Sequence, residues 1–157
     1  MKPWKLLTML LMAAVLTACV TGQRRVSEPA ASVQQLSVGA DGGWAIELRL
    51  QNYSSIPMRF ESVRLELSVG GESAGTLEVA PMLTVGPESA DILALTLQPS
   101  AEGRLQAADA LAAGRGLAYR IEGTLRAAPD DRGSARDYRI LRDSTLSPVP
   151  GLPGVMR

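Results

Sequence analysis

Apolar and polar residues alternate one for one along four stretches of this chain, a period that only a β-strand with one face in a core and the other in water satisfies. Trp44, Ile46, Leu48 and Leu50 are interleaved with Ala45, Glu47, Arg49 and Gln51, and Val63, Leu65, Leu67 and Val69 with Arg64, Glu66 and Ser68. Leu93, Leu95 and Leu97 flank Ala94 and Thr96. Leu117, Tyr119, Ile121 and Leu125 stand among Arg120, Glu122 and Arg126. Weaker runs, Val33 to Val38 and Asp137 to Arg142, bracket the set. Turn-forming clusters separate the runs: Asp41-Gly42-Gly43, Gly70-Gly71-Glu72, Gly86-Pro87-Glu88 and Pro129 to Gly133. Six or seven short strands with one-sided alternation predict an all-β chain folded as an antiparallel β-sandwich, its two apolar faces packed together.

One segment departs from this period. Ala101 to Ala113 is rich in Ala, Leu, Glu and Gln and holds no β-branched residue, and Leu105, Ala108, Leu111 and Ala112 fall near helical spacing. Gly114 stands where a helix-terminating glycine would. One short helix is therefore predicted between the fifth and sixth strands.

The N-terminus carries a different signal. Lys2 and Lys5 precede an apolar run from Leu6 to Leu16 and the sequence Leu16-Thr17-Ala18-Cys19. A charged start, a short apolar stretch and a small residue at the cleavage point make a secretory signal. The run is about half the roughly 20 residues of a permanent transmembrane helix. Leu16-Thr17-Ala18-Cys19 resembles the lipobox of bacterial lipoproteins, which implies cleavage between Ala18 and Cys19 and acylation of Cys19. Two or three acyl chains on one terminus suffice for stable anchoring. Val20 occupies the place where an Asp would resemble an inner-membrane retention signal. The expectation is thus a cell-envelope protein held in the outer membrane and facing the periplasm, with the membrane as its first partner.

The expected division is 1–18 signal peptide, 19–31 lipid anchor and flexible tether, 32–143 sandwich, and 144–157 a Pro/Gly-rich tail. The mature 139 residues suit one domain. In the tether, Arg24 and Arg25 read as solvated linker rather than as a contact to anionic headgroups. The tail, with Pro148, Pro150 and Pro153, has a composition expected to stay off the sheets.

Composition restricts the chemistry. Both lysines leave with the signal, so fourteen arginines face sixteen acids and the mature net charge is −2. No basic surplus favours nucleic acid. The chain has no His, and its single Cys is committed to the anchor. A Ser-His-Asp triad, a Cys-His pair, a His-ligated metal site or an internal disulfide cannot be assembled from it. No catalytic residue, metal or cofactor is expected, and the protein is read as a non-enzyme.

After the second strand the chain reads Leu50-Gln51-Asn52-Tyr53-Ser54-Ser55-Ile56-Pro57-Met58. Here it resembles the water stress and hypersensitive response domain, the group 2 late embryogenesis abundant fold, in which an alternating strand runs into an Asn-Pro-Asn turn. Asn52 matches the first Asn of that motif. Ile56-Pro57-Met58 matches the apolar continuation, Gly70-Gly71 with Gly75 the glycine region, and Val79 to Leu97 the closing half. Tyr53 stands in place of the motif's Pro and Ser54 in place of its second Asn. The resemblance spans residues 32–126 and implies a fibronectin type III or immunoglobulin-like sandwich with a small helix. It also implies a part in protection against desiccation and related stress through chaperone-like contacts with client proteins. The alternatives are a module that binds one envelope protein, or a carrier of an apolar small molecule. Asn52 and Pro57 are assigned structural roles, because an Asn side chain satisfies nearby backbone at the end of a strand. Trp44 is expected in the core, while Tyr53 stays open between core and partner contact.

Overall fold

The computed structural model describes residues 24–131 and 133–157. The expected signal peptide and Cys19 lie outside the described residues.

Among the described residues, nine strands and one helix follow one another as β1 (Ala30–Val38), β2 (Trp44–Gln51), β3 (Met58–Val69), β4 (Glu72–Val79), β5 (Leu83–Val85), β6 (Ala90–Leu97), α1 (Ala101–Ala112), β7 (Leu117–Pro129), β8 (Arg136–Leu146) and β9 (Val155–Met156). They form two antiparallel sheets. The first has the order β6-β2-β1-β9; the second is β4-β3-β7-β8, with β5 also paired to β3. This is the sandwich predicted from the alternation, with the helix crossing between the sheets as the sixth strand ends.

The alternating residues supply the core. Leu36, Trp44, Ile46, Leu48 and Leu50 of the first sheet meet Val63, Leu65, Leu67, Ile121 and Leu125 of the second, all of them buried. Burying side chains of this size is worth about 1.5–3 kcal/mol each. The turn between β3 and β4 shows why the glycines are where they are. Val69 and Glu72 pair directly, leaving Gly70 and Gly71 as a two-residue loop with φ of 58° and 89°. Two successive positive φ values define the hairpin turn whose twist matches that of the strands.

Several strands run longer than alternation suggests, and in two of them, β1 and β3, a bulge is the reason. In β3 the inward residues are Met58 and Phe60, then Val63, Leu65, Leu67 and Val69, and the pairing with β7 shifts between Phe60 and Ser62. In β1 they are Ala31 and Val33, then Leu36, with a shift between Val33 and Gln35. One extra residue reverses the parity of everything beyond it. Counted by twos, β3 starts at Val63, whereas the strand starts at Met58.

The helix forms where expected, with a different inner face. Ser100 caps it, its Oγ accepting from Gly103 N–H at 2.9 Å, and Gly114 follows it at φ 62°. The buried residues are Gly103, Ala107 and Ala110, whereas Leu105 is 68% exposed. The correction has a steric cause: a Cβ on Gly103 would lie 3.0 Å from Ala74 of β4. At that approach the small side chains face inward and the leucine turns out.

The tail also departs from expectation. Val155 and Met156 pair with Ser37 and Leu36 of β1, and Met156 is fully buried. Val38 N–H donates to Gly154 O at 2.8 Å, and Val149 N–H to Val155 O at 2.9 Å. Ser144 to Leu146 still belong to β8 and pair with β7, Pro148 forms an isolated bridge with Met156, and Pro150 and Pro153 occupy the reversal that brings Val155-Met156 back onto β1.

Candidate functional site

The turn after β2 is built around one side chain. Asn52 is fully buried. Its Nδ2 donates to Ile56 O at 2.8 Å, Val85 O at 3.1 Å and Gly86 O at 2.8 Å, and its Oδ1 accepts from Ser54 N–H at 2.8 Å. Its own N–H donates to Ser89 O at 2.8 Å. A single amide thus ties the β2–β3 turn to the loop between β5 and β6. Pro57 lies half-buried at the entrance to β3, where its carbonyl accepts from Asp130 N–H at 3.0 Å. Ser54, equally buried, accepts from Ser27 N–H at 3.0 Å and donates to Ser27 O at 3.3 Å.

The same turn receives the N-terminal segment. Arg25 N–H donates to Ser55 Oγ at 2.8 Å, and Ser55 N–H to Arg25 O at 3.0 Å. The Arg25 guanidinium reaches Tyr53 O at 3.0 Å and Glu88 at 2.8 Å, and Arg24 pairs with Asp131 at 2.9 Å. The ion pairs are exposed and contribute little; the hydroxyl and backbone bonds fix the path. Arg24 and Arg25, expected as solvated linker, lie against the sandwich, and Ala30 and Ala31, expected in the tether, open β1.

Beside this junction the sandwich is open along one flank. β8 ends the second sheet, and β9 covers β1 only at Leu36 and Ser37. Between β8 and the first half of β1 runs a groove of about 350 Å3, lined by Ala31, Ser32, Arg49, Tyr53, Leu141 and Arg142 among others. No acid is among its lining residues. Tyr53 and Leu141 are 51% and 54% exposed, which places Tyr53 outside the core, whereas Trp44 lies within it. Tyr119 of β7, buried between the sheets, reaches across to β1. Its hydroxyl accepts from Val33 N–H at 3.2 Å and donates to Val33 O at 3.4 Å, satisfying the β1 backbone at the bulge. On the outer face of the second sheet, Asp143 raises the Arg120 pKa above its ordinary value through a direct hydrogen bond and its charge. Among the described residues no His, Cys, Asp and Glu side chains gather into a group able to hold a metal ion. What the flank offers is strand backbone, guanidinium groups and two exposed apolar side chains, the means of binding an extended chain.

Sequence reasoning singled out Asn52, Pro57, Trp44 and Tyr53 but not the groove, whose lining comes from strands far apart in sequence. The exposed Leu141, apolar at a solvent-side position of a weak alternation, is the one local signal of it.

Residues 47–136 match the model of the late embryogenesis abundant protein family. The chain belongs to this family. The matched region runs from β2 to the start of β8 and so includes the Asn52 junction. Among solved structures, this late embryogenesis abundant protein is similar to the putative ApaA protein of Bordetella pertussis, at 13% identity over 82% of this chain and 99% of that one, with a TM-score of 0.50. A protein of Arabidopsis thaliana is 13% identical over 82% of this chain and 84% of its own, with a TM-score of 0.48. One from Archaeoglobus fulgidus is 16% identical over 80% and 98%, with a TM-score of 0.41. No curated protein matches the chain.

Proposed function

We propose that this late embryogenesis abundant protein is a non-enzymatic envelope lipoprotein of the water stress and hypersensitive response type. It is anchored through Cys19 in the outer membrane, faces the periplasm, and protects client proteins during drying and related stress by weak, chaperone-like contacts. Family membership over a sandwich with an open, strand-edged flank carries this reading, because unpaired backbone binds extended chain with little regard to sequence. The full chain is expected to suppress aggregation of a dried or heated client well beyond an albumin control. Equality with albumin refutes the protective role. Cys19→Ser is expected to release the protein from membranes, and unchanged fractionation refutes the anchor.

The arginines of the groove favour a second reading, a module docking one acidic envelope partner. Crosslinking in membranes separates the two, since a single stoichiometric partner supports docking and many unrelated clients support protection.

A further inference from the structure

β8 is an eleven-residue end strand without a proline, and its charges are arranged in a way a second copy can read. Ile140 and Leu146 face the core, while Asp137, Arg139, Leu141, Asp143 and Thr145 face solvent. When two copies of one strand pair antiparallel about a two-fold axis, directly opposite residues share a face and their numbers add to a constant. The register that overlaps all eleven residues is centred on Leu141. It sets Leu141 against Leu141 of the second copy, Arg139 against Asp143, Asp143 against Arg139, and Asp137 against Thr145. Moving the centre by one residue to Ile140 opposes Asp137 to Asp143 twice. Centring on Arg142 or on Arg139 opposes two like guanidinium groups at the axis. The register of greatest overlap is therefore also the one that joins opposite charges and covers an exposed leucine. β6, which ends the other sheet, carries a single charged residue, Asp91, and holds no such pattern.

The surrounding charges extend the match. Arg139 already pairs with Glu122 at 2.7 Å and Asp143 with Arg120 at 2.7 Å, both on the outer face. Joining two copies sets Glu122 and Arg139 of one beside Asp143 and Arg120 of the other, a row of alternating sign on each side of the axis. Networks of this kind contribute more than isolated surface pairs.

We propose that β8 is a homodimer interface, joining two copies through antiparallel β8–β8 pairing centred on Leu141 into one continuous sheet. This does not depend on the anchor or the protective role; pairing β8 with its copy leaves β4 and β6, the other long sheet ends, as the unpaired edges open to client chain. Because the strands run antiparallel, the Arg24 ends of the two copies leave from opposite ends of the joint sheet.

The test uses the full chain in mild detergent, with single cysteines added on the outer face of β8 and mild oxidation. Leu141→Cys places two thiols on directly opposite residues, whose Cα atoms lie about 4.5–5.5 Å apart, and is expected to form a disulfide dimer. Arg139→Cys and Asp143→Cys are each offset from their own copies by four residues, about 13 Å, and are expected to remain monomeric, as is the wild type with Cys19 alone. Equal crosslinking at all three positions, or none at Leu141→Cys, overturns the proposal. Arg139→Asp and Asp143→Arg each turn two attractive cross-strand pairs into two repulsive ones and are expected to weaken dimerisation about tenfold or more by sedimentation. The double variant R139D/D143R restores opposite charges and is expected to return to within about twofold of wild type. Failure of that rescue overturns the register.

Discussion

Replacing Asn52 tests the structural reading of the junction most directly. In Asn52→Ala, three carbonyls and one N–H lose the group that satisfies them. The bonds to Val85 O and from Ser54 N–H are buried, and those to Ile56 O and Gly86 O partly so. A buried polar group left unpaired costs about 1–3 kcal/mol, and one that water can reach costs less. Two groups at the full cost and two at a fraction of it give a destabilisation of about 3–5 kcal/mol, in the range reserved for broken buried networks. With a urea slope of about 1.5–2 kcal/mol per M for a domain of this size, the unfolding midpoint falls by about 2 M.

Asn52→Asp separates hydrogen bonding from shape, because the side chain is isosteric. Its carboxylate keeps the acceptor for Ser54 N–H but faces the carbonyls of Ile56, Val85 and Gly86 without a proton to give them. Burial and those dipoles raise the folded-state pKa above the unfolded value of about 3.9. The folded state then binds the proton more tightly than the unfolded chain, so stability falls as pH rises from the unfolded pKa to the folded one. The deficit relative to wild type is expected to be full at pH 7 and to shrink as pH falls through the folded pKa towards about 4. A midpoint for Asn52→Ala within about 0.5 M of wild type, or an Asn52→Asp deficit that grows on acidification, refutes the reasoning.

Three further places in the packing carry expected outcomes. Tyr119→Phe leaves Val33 N–H and C=O unsatisfied at the β1 bulge and is expected to cost about 1–2 kcal/mol by urea unfolding. Met156→Ala empties a fully buried site under the tail strand and is expected to cost about 2–4 kcal/mol, where a draped tail would cost nothing measurable. On the helix, Leu105→Gln is expected to stay within about 0.5 kcal/mol of wild type. Ala107→Leu overpacks the buried face of the helix and is expected to cost about 1–3 kcal/mol. Both helix values are read from thermal or urea midpoints.

The alternation of β2 and β7 was legible because neither strand breaks parity along its core residues: Trp44, Ile46, Leu48 and Leu50 are all even-numbered, and Leu117, Tyr119, Ile121 and Leu125 all odd. β1 and β3 were legible only in part, since a bulge after Val33 and another after Phe60 switch parity in mid-strand and a reader counting twos loses the element there. β5 and β9 span three and two residues, too short for any period to register. Helical spacing put Leu105 inside, but the helix packs through Gly103, where its approach to Ala74 is too close for a larger side chain. At the junction, Asn52 was singled out for satisfying local backbone, and it does so at Ile56. Its bonds to Val85 and Gly86 join segments more than thirty residues apart, which no local motif announces.

Asn52 also governs how the N-terminal segment is held, because its Oδ1 fixes Ser54 N–H and so aims Ser54 Oγ at Ser27. On the reading of Cys19 as the anchor, four residues stand between the lipidated position and Arg24, so the docked segment keeps the Asn52 end of the sandwich close to the membrane. In the β8-paired dimer, whose two such ends point apart, the joint sheet then lies along the surface. Ser54→Ala isolates this coupling, since it removes the bonds with Ser27 N–H and Ser27 O while leaving Asn52 and the sheets intact. Both bonds are partly buried, so the global cost is expected to be only about 1–2 kcal/mol. Local release should be larger in effect. Trypsin cuts after arginine, and a docked Arg24-Arg25 pair is a poor substrate until the segment lifts from the turn. If docking is local opening against the Ser54 contacts, cleavage at that pair accelerates several-fold in Ser54→Ala under conditions where the sandwich stays uncut. An unchanged cleavage rate means that the hydroxyl does not hold the segment, and the orientation inferred from it falls with it.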